Sequence, residues 1–240
     1  MSVLITICAR GGSKGIPGKN IKLLNEKPLI GYTIDVAKKF QQHIADTDIA
    51  LSTDSEEIKK VAETCGLHTA YTRPDVLAGD TTGKIDAISD VLRYYQHNFG
   101  KQYDYVLDLD VTSPLRNLND LLTAFNILKN NPEAANLFSV SPASRNPYFN
   151  MVEHKPSGFY AQVKISETGV FTRQSAPAVY DMNASFYFYR QLFFEQSYKG
   201  AITDKSLIYV VPHLCFDLDH PVDFEFLSYL MVNNKLDFEL

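Results

Sequence analysis

The stretch Val3-Leu-Ile-Thr-Ile-Cys8, running straight into Ala9-Arg-Gly-Gly-Ser-Lys-Gly-Ile-Pro-Gly-Lys-Asn20, decides the fold. Its first part is apolar or β-branched at every position, the pattern of a strand covered on both faces. Gly11-Gly12 and a loop rich in Gly, Lys and Pro break the run. Pro28 then opens a helix whose apolar stripe is Leu29, Ile30, Thr33, Ile34, Ala37 and Phe40. The unit repeats as a strand over 49–52 and a helix over 55–65. Asp54 caps that helix, with Glu57 three residues on and Gly66 beyond its end. A short strand over 67–71, a loop over 73–82, a helix carrying Ile85, Ile88, Leu92 and Tyr95, a strand over 103–109 and a helix over 119–129 continue the alternation. Strands separated by helices predict an α/β fold with a doubly wound, mostly parallel sheet. Ligands in such sheets bind beyond the carboxyl ends of the strands, which directs attention to the loops after Cys8, Ser52 and Leu109.

After a strand over 137–141 the texture changes. Pro, Gly and aromatic residues and the alternation of 161–165 predict a β-rich insert over 142–183, flanked by a core of 1–141 and 184–240. The runs 185–190 and 207–211 return to the sheet, and Pro221 opens the last helix.

The chain has 240 residues, 45% of them apolar and 21% charged, enough for one large globular domain with one active site. A net charge of −5 argues against a nucleic-acid coat and leaves room for a small anion bound locally. Cys8, Cys65 and Cys215 are odd in number and far apart, so they suggest neither a disulfide framework nor a zinc site and point to a reducing cytoplasm. No signal peptide and no membrane span is expected.

The chemistry concentrates in three places. In the first loop, four glycines accompany Arg10, Lys14 and Lys19, and residues 1–28 carry five Lys/Arg against the lone acid Glu26. A glycine loop with that charge suits a polyphosphate. It fits neither a Walker A loop, because Ser13 and Asn20 stand where Gly and Ser/Thr belong, nor the dinucleotide pattern, because Lys14 follows Gly12-Ser13. The second place is Phe216-Asp217-Leu218-Asp219-His220-Pro221. Two carboxylates spaced i and i+2 on an extended segment can share one hard cation, with phosphate as the remaining ligand. The third is Asp108-Leu109-Asp110, before Val111-Thr112-Ser113-Pro114-Leu115-Arg116. One of these acids is a second metal or ribose contact, or Asp108 is structural. The six histidines form no metal cluster, and Ser13 and Ser113 have no visible His-Asp partnership for acyl chemistry.

Taken in order, Ala9 to Asn20, Ser52-Thr53-Asp54, Arg73-Pro74 with Leu77-Ala78-Gly79-Asp80, Thr112-Ser113-Pro114-Leu115-Arg116 and Phe216 to Asp219 resemble the acylneuraminate cytidylyltransferase (CMP-sialic acid synthetase) family from end to end. The resemblance implies a nucleotidyltransferase fold and transfer of CMP from CTP to the anomeric 2-hydroxyl of a nine-carbon keto acid, releasing pyrophosphate. It implies Arg10, Lys14, Lys19, Asp217 and Asp219 as catalytic. Mg²⁺, for which Mn²⁺ substitutes, would sit on Asp217 and Asp219. Ala9, Gly11, Gly12, Ser13, Asn20, Ser52, Arg73, Asp110, Thr112 and Ser113 would form the nucleotide pocket. The insert would pair two copies, bringing Arg173 and Gln174 to the partner's sugar, with Phe149 and Asn183 beside it. Two departures stand out: Asp110-Val111 where many sialic-acid enzymes have Gln-Pro, and Phe149 where they tend to have Lys. With Thr172 to Pro177 and Tyr180 to Ala184, these resemble the branch that activates legionaminic acid, a 6-deoxy analogue. CMP-Kdo or CMP-Kdn synthetase, a metal-dependent glycosyltransferase using Asp108-Leu109-Asp110 as its DxD, and a non-catalytic nucleotide-binding module are the alternatives.

Overall fold

The computed structural model describes residues 1–13, 15–79, 82–166, 169–196, 198 and 200–240. In chain order the elements are β1 Val3–Cys8, the two-residue strands β2 Leu23–Leu24 and β3 Lys27–Pro28, α1 Leu29–His43, β4 Thr47–Ser52 and α2 Glu56–Thr64. They continue with α3 Lys84–Phe99, β5 Tyr105–Asp110, α4 Leu118–Lys129, β6 Asn136–Pro142, β7 Val152–His154 and β8 Tyr160–Gln162. The chain ends with β9 Tyr180–Arg190, α5 Gln191–Glu195, β10 Ser206–Val210 and α6 Pro221–Val232.

The main sheet has the order β10-β6-β9-β5-β1-β4. β1 runs parallel to β4 and β5, and β10 parallel to β6, while β9 is antiparallel to both of its neighbours. The predicted doubly wound, mostly parallel sheet is therefore present, with one reversed strand where the chain returns from its excursion. Register matters most for function. Cys8 pairs with Ser52 on one side and with Asp110 on the other, so three strands end at one level and their loops share one edge.

Side-chain alternation sends Val3, Ile5 and Ile7 to the face covered by α1, α2, α4 and α6, and Leu4 to the face covered by α3 and α5. Every residue of the expected α1 stripe is buried, and Phe40 packs edge-on to Phe125 of α4 with centroids 5.7 Å apart. On the α3 face the carboxyl end of the sheet turns polar: Thr6 and Asp108 are fully buried there.

Three local expectations need correction. Ser55 caps α2, accepting the Ile58 N–H at 3.4 Å, because the carboxylate of Asp54 is turned toward the first loop and accepts the Gly11 N–H at 2.9 Å. Residues 67–71 form no strand, so β4 is the sheet edge; the Thr69 hydroxyl takes the Leu51 carbonyl that a ladder would have used. Among the described residues the excursion after β6 holds one short strand pair, β7 and β8, in place of the longer alternation over 161–165, and sheet pairing resumes at Tyr180, opposite Pro142, ahead of the expected 185. Near Ser139 the β6–β9 register shifts. Ala184 takes φ 55° there, and the Ser139 hydroxyl fills the irregularity by bonding the Asn183 Oδ1.

Candidate active site

A cavity of about 440 Å³ lies where β1, β4 and β5 end. Its walls include Arg10, Ser13, Lys19, Asn20, Arg73, Asp110, Thr112 and Asp219 from the sequence analysis, together with Cys8, Gly83 and Lys84.

The first loop is tied down by its own backbone and by its neighbours. Ala9 N–H bonds the Ser52 carbonyl at 2.9 Å, and buried Asn20 returns its amide to the Arg10 carbonyl at 2.9 Å. The Gly11 and Ser13 amides are engaged within the protein, so the positive character of the loop rests largely on its side chains. Gly12 meets open space. Gly18 sits at φ 63°, a left-handed conformation that favours glycine, and a Cβ on Gly15 would fall 2.4 Å from the Asp219 carbonyl oxygen. That close approach seats the loop against the Asp217–Asp219 segment. Lys19 completes the seam: its ammonium donates to the Leu218 carbonyl at 2.5 Å and lies 4.0 Å from Asp219. Lys14 lies outside the described residues.

Arg73 is almost completely buried in the opposite wall. Its Nε donates to Ser52 Oγ at 3.0 Å and its Nη2 to the Ser52 carbonyl at 2.8 Å, so Ser52 acts through Arg73. Arg10 reaches the Ala78 carbonyl at 3.5 Å.

The acids divide sharply. Asp108 is fully buried, accepts the Thr6 hydroxyl at 2.8 Å and pairs with Lys84 at 2.7 Å. Asp110 pairs with the same ammonium at 2.7 Å and accepts both the N–H and the hydroxyl of Thr112 at 2.8 Å. Burial would raise its pKa, but Lys84 and Thr112 outweigh burial and hold it at about 2. Burial likewise opposes the charge of Lys84, which the two carboxylates keep well above the ordinary lysine value. Among the described residues no cation pairs with Asp217 directly. Burial first, then the nearby Asp110 and Asp219 charges, push its carboxyl up to about 6, against one weak bond from Thr112 Oγ1 at 3.3 Å and the more distant charge of Lys19. Cys8, in the cavity wall, has its thiol pushed up to about 12 by burial and by Asp108, which makes it a poor nucleophile.

The family model for Cytidylyltransferase matches residues 4–221, a span that takes in every wall of this cavity. The chain belongs to the cytidylyltransferase family. Among its relatives, post-translational flagellin modification protein B of Campylobacter coli is 39% identical over 98% of this chain and 97% of that protein. A CMP-N,N'-diacetyllegionaminic acid synthase of Campylobacter jejuni is 36% identical over 95% and 94%, and a pseudaminic acid cytidylyltransferase of the same species 30% over 99% and 100%. A solved CMP:2-keto-3-deoxy-manno-octonic acid synthetase complexed with CTP superposes at TM-score 0.68 with 15% identity, covering 98% of this chain and 100% of that one. At that identity the likeness shows the nucleotidyltransferase fold alone.

For this cytidylyltransferase the structure separates the expected residues into two groups. Arg10, Lys19, Arg73, Thr112 and Asp219 converge on the cavity, with Asp217 reached through Thr112. Ser113 and the insert residues do not line it. The Ser113 hydroxyl is buried and bonds the Asn183 carbonyl at 2.6 Å. The Asn183 amide is spent on Ser139 and Ser141. Phe149 and the exposed Arg173 and Gln174 belong to the excursion, where Arg173 donates to the Ser144 carbonyl at 3.0 Å. At Asp108-Leu109-Asp110 one ammonium, that of Lys84, is shared by both acids and occupies the place between them that a DxD metal would need.

Lys84 and Arg116 are the functional-site residues that the sequence analysis passed over. Lys84 stands on the first turn of α3, where the helix dipole favours acids, so its position there signals a local partner. Arg116 is fully buried and pins the loop after β5, donating to the carbonyls of Asp110, Ser113 and Ser185 at 2.7–3.0 Å and to Thr33. A buried cation with carbonyl partners leaves no pattern of charge in sequence.

Proposed function

We propose that the chain transfers a cytidylyl group from CTP to the 2-hydroxyl of a nonulosonic acid, giving a CMP-sugar and pyrophosphate. One observation carries it: three aligned strand ends bring Arg10, Lys19 and Arg73 to the same cavity as an acid segment that ends in Asp219. In the reaction the sugar oxygen bonds to the α-phosphorus as the bond to pyrophosphate breaks, and negative charge grows on the leaving group. Fixed cations lower that barrier by electrostatic stabilisation, without covalent chemistry. Lys19 is held between loop and acids and Arg73 is locked against Ser52, so neither has to reorganise as the charge develops.

Asp217 and Asp219 fit a hard divalent cation. They are oxygen donors, and Asp217 is crowded by carboxylate charge, with Lys19 the one opposing ammonium near it among the described residues. When bound there, Mg²⁺, or Mn²⁺ in its place, would supply Lewis-acid charge to the phosphates.

The sugar is a nonulosonic acid of the legionaminic type. Relatives with that name support this, as does Phe149, an aromatic where a lysine would favour polar contact. One methyl on an aromatic wall contributes about 1 kcal/mol, several-fold in specificity. The protein works as a homodimer with 142–183 as the pairing insert. Phe159, Ile165 and Phe171 there are 77%, 83% and 85% exposed, apolar area that a second copy would cover. A cytoplasmic setting suits its three free cysteines, and no described helix is long and apolar enough to cross a membrane.

The test is pyrophosphate release from CTP with Neu5Ac, Kdn, legionaminic acid, pseudaminic acid and Kdo in turn. Legionaminic acid should give the highest kcat/KM, and Phe149→Lys should narrow its lead over Neu5Ac. No release with any sugar in Mg²⁺ or Mn²⁺ overturns the proposal.

A further inference from the structure

We infer that Lys84 is a positioning residue that holds Asp108 and Asp110 away from the metal, leaving Asp217 and Asp219 as the acids that take it. The inference rests on the metal-dependent reading above and deepens it. Lys84 Nζ lies 2.7 Å from a carboxylate oxygen of each of Asp108 and Asp110, and 5.0 Å over the Tyr187 ring. Three oriented partners fix one flexible side chain. Asp108 has no exposure to solvent, so its charge has to be met inside the protein, and Thr6 supplies a hydroxyl but no cation.

The consequence reaches the metal acids through Thr112. Its hydroxyl lies 2.8 Å from Asp110 Oδ1 and 3.3 Å from Asp217 Oδ1, but it carries a single proton. It cannot satisfy both carboxylates fully. Lys84 settles the contest by holding Asp110 from the other side, on Oδ2, so Thr112 can bridge without leaving Asp110 as an unpaired charge in the cavity wall. Remove the ammonium and Asp110 becomes a third open carboxylate beside Asp217. A divalent ion would then bind more tightly, but displaced toward β5 and away from Asp219.

This makes an unusual signature: tighter metal binding with slower chemistry. The measurement is Mn²⁺ affinity of the nucleotide-free protein, from the electron paramagnetic resonance signal of free Mn²⁺, beside kcat for pyrophosphate release. Lys84→Met should bind Mn²⁺ about tenfold more tightly, the effect of removing one positive charge a few ångströms away, and lose about tenfold or more in kcat. Lys84→Arg, which keeps the charge, should restore both. Lys84→Met with Asp110→Asn should return Mn²⁺ affinity to the wild-type value. Should Lys84→Met fold poorly because it strands the Asp108 charge, Lys84→Met with Asp108→Asn removes that charge and should still show a gain, smaller than about tenfold, from the freed Asp110. Unchanged Mn²⁺ affinity in the folded Lys84→Met/Asp108→Asn protein overturns the inference, as does a gain that survives Asp110→Asn. Both outcomes are distinct from failure of the functional reading, which would appear as no pyrophosphate from the wild-type protein.

Discussion

Asp108-Leu109-Asp110 and Asp217-Leu218-Asp219 are the same tripeptide, and both lie at the cavity end of the sheet. In each the leucine is fully buried, and the two segments touch where Leu218 N–H bonds the Thr112 carbonyl at 2.9 Å. Their surroundings differ. The first ends a central strand and meets Lys84, Thr6 and Thr112; the second lies on an extended segment before α6, where the Asp219 side chain is 72% exposed and Lys19 is 4.0 Å away. Opposite pKa shifts follow, down to about 2 for Asp110 and up to about 6 for Asp217. The lesson is that the same tripeptide takes opposite electrostatic characters from its surroundings: a lysine shared between two buried acids makes a brace, whereas acids left to crowd one another hold charge open to a ligand.

The largest expected effect breaks the pairs apart by activity. Asp217→Asn and Asp219→Asn should each lower kcat/KM by about a hundredfold or more, since the charge that anchors a metal goes while the shape stays. Far-ultraviolet circular dichroism should remain that of the wild type. Asp108→Asn should cost less activity than either; the reverse order would place the metal on the β5 pair.

Sequence made the second pair visible and left the first ambiguous, for a physical reason. The strand-loop-helix rhythm of residues 3–66 rests on local periodicity and on glycine and proline signals, so the sheet and the first loop were legible. Asp110 is defined by Lys84, twenty-six positions earlier in the chain, and that contact exists only once α3 packs on the sheet over β1 and β4. Ser113 was legible as part of a loop motif, but its inward turn toward the Asn183 carbonyl depends on the irregular β6–β9 pairing, which has no sequence signal. The strand expected over 67–71 failed because one threonine hydroxyl took a ladder carbonyl.

Stability should rank the pairs the other way. Asp108→Ala removes a fully buried carboxylate and leaves Thr6 and half of the Lys84 contact unmatched. It should cost about 3 kcal/mol in urea denaturation. Asp219→Asn, on an exposed side chain, should change stability by less than about 0.5 kcal/mol. Equal costs would mean that the β5 pair is no brace.

Acid titration sharpens the contrast with a smaller effect. The folded-state pKa of Asp110 is depressed from 3.8 to about 2, so the stability it contributes is present above the unfolded value and is lost as pH falls through the folded one. Asp110→Asn should therefore be less stable than the wild type by about 1–2 kcal/mol at pH 6, with the two converging as pH falls from about 5 toward 2. A constant difference across that window would assign the loss to packing instead of charge.

The smallest effect comes from one methylene. At Asp219 the side chain stands largely in solvent, so Asp219→Glu meets no packed wall; it moves the carboxylate along by one carbon and keeps its charge. A cation site shared with mobile phosphate oxygens tolerates such a shift better than an enclosed ion pair does. The variant should keep wild-type stability and fall about threefold to tenfold in kcat/KM, the cost of imperfect positioning. Asp108→Glu adds the same methylene between Thr6 and Lys84, where both oxygens are already placed and no solvent enters. Overpacking there should cost about 1–3 kcal/mol of stability. Thermal melts and initial rates on the two glutamate variants give the comparison directly, and a destabilised Asp219→Glu beside an undisturbed Asp108→Glu would invert the roles assigned to the two tripeptides.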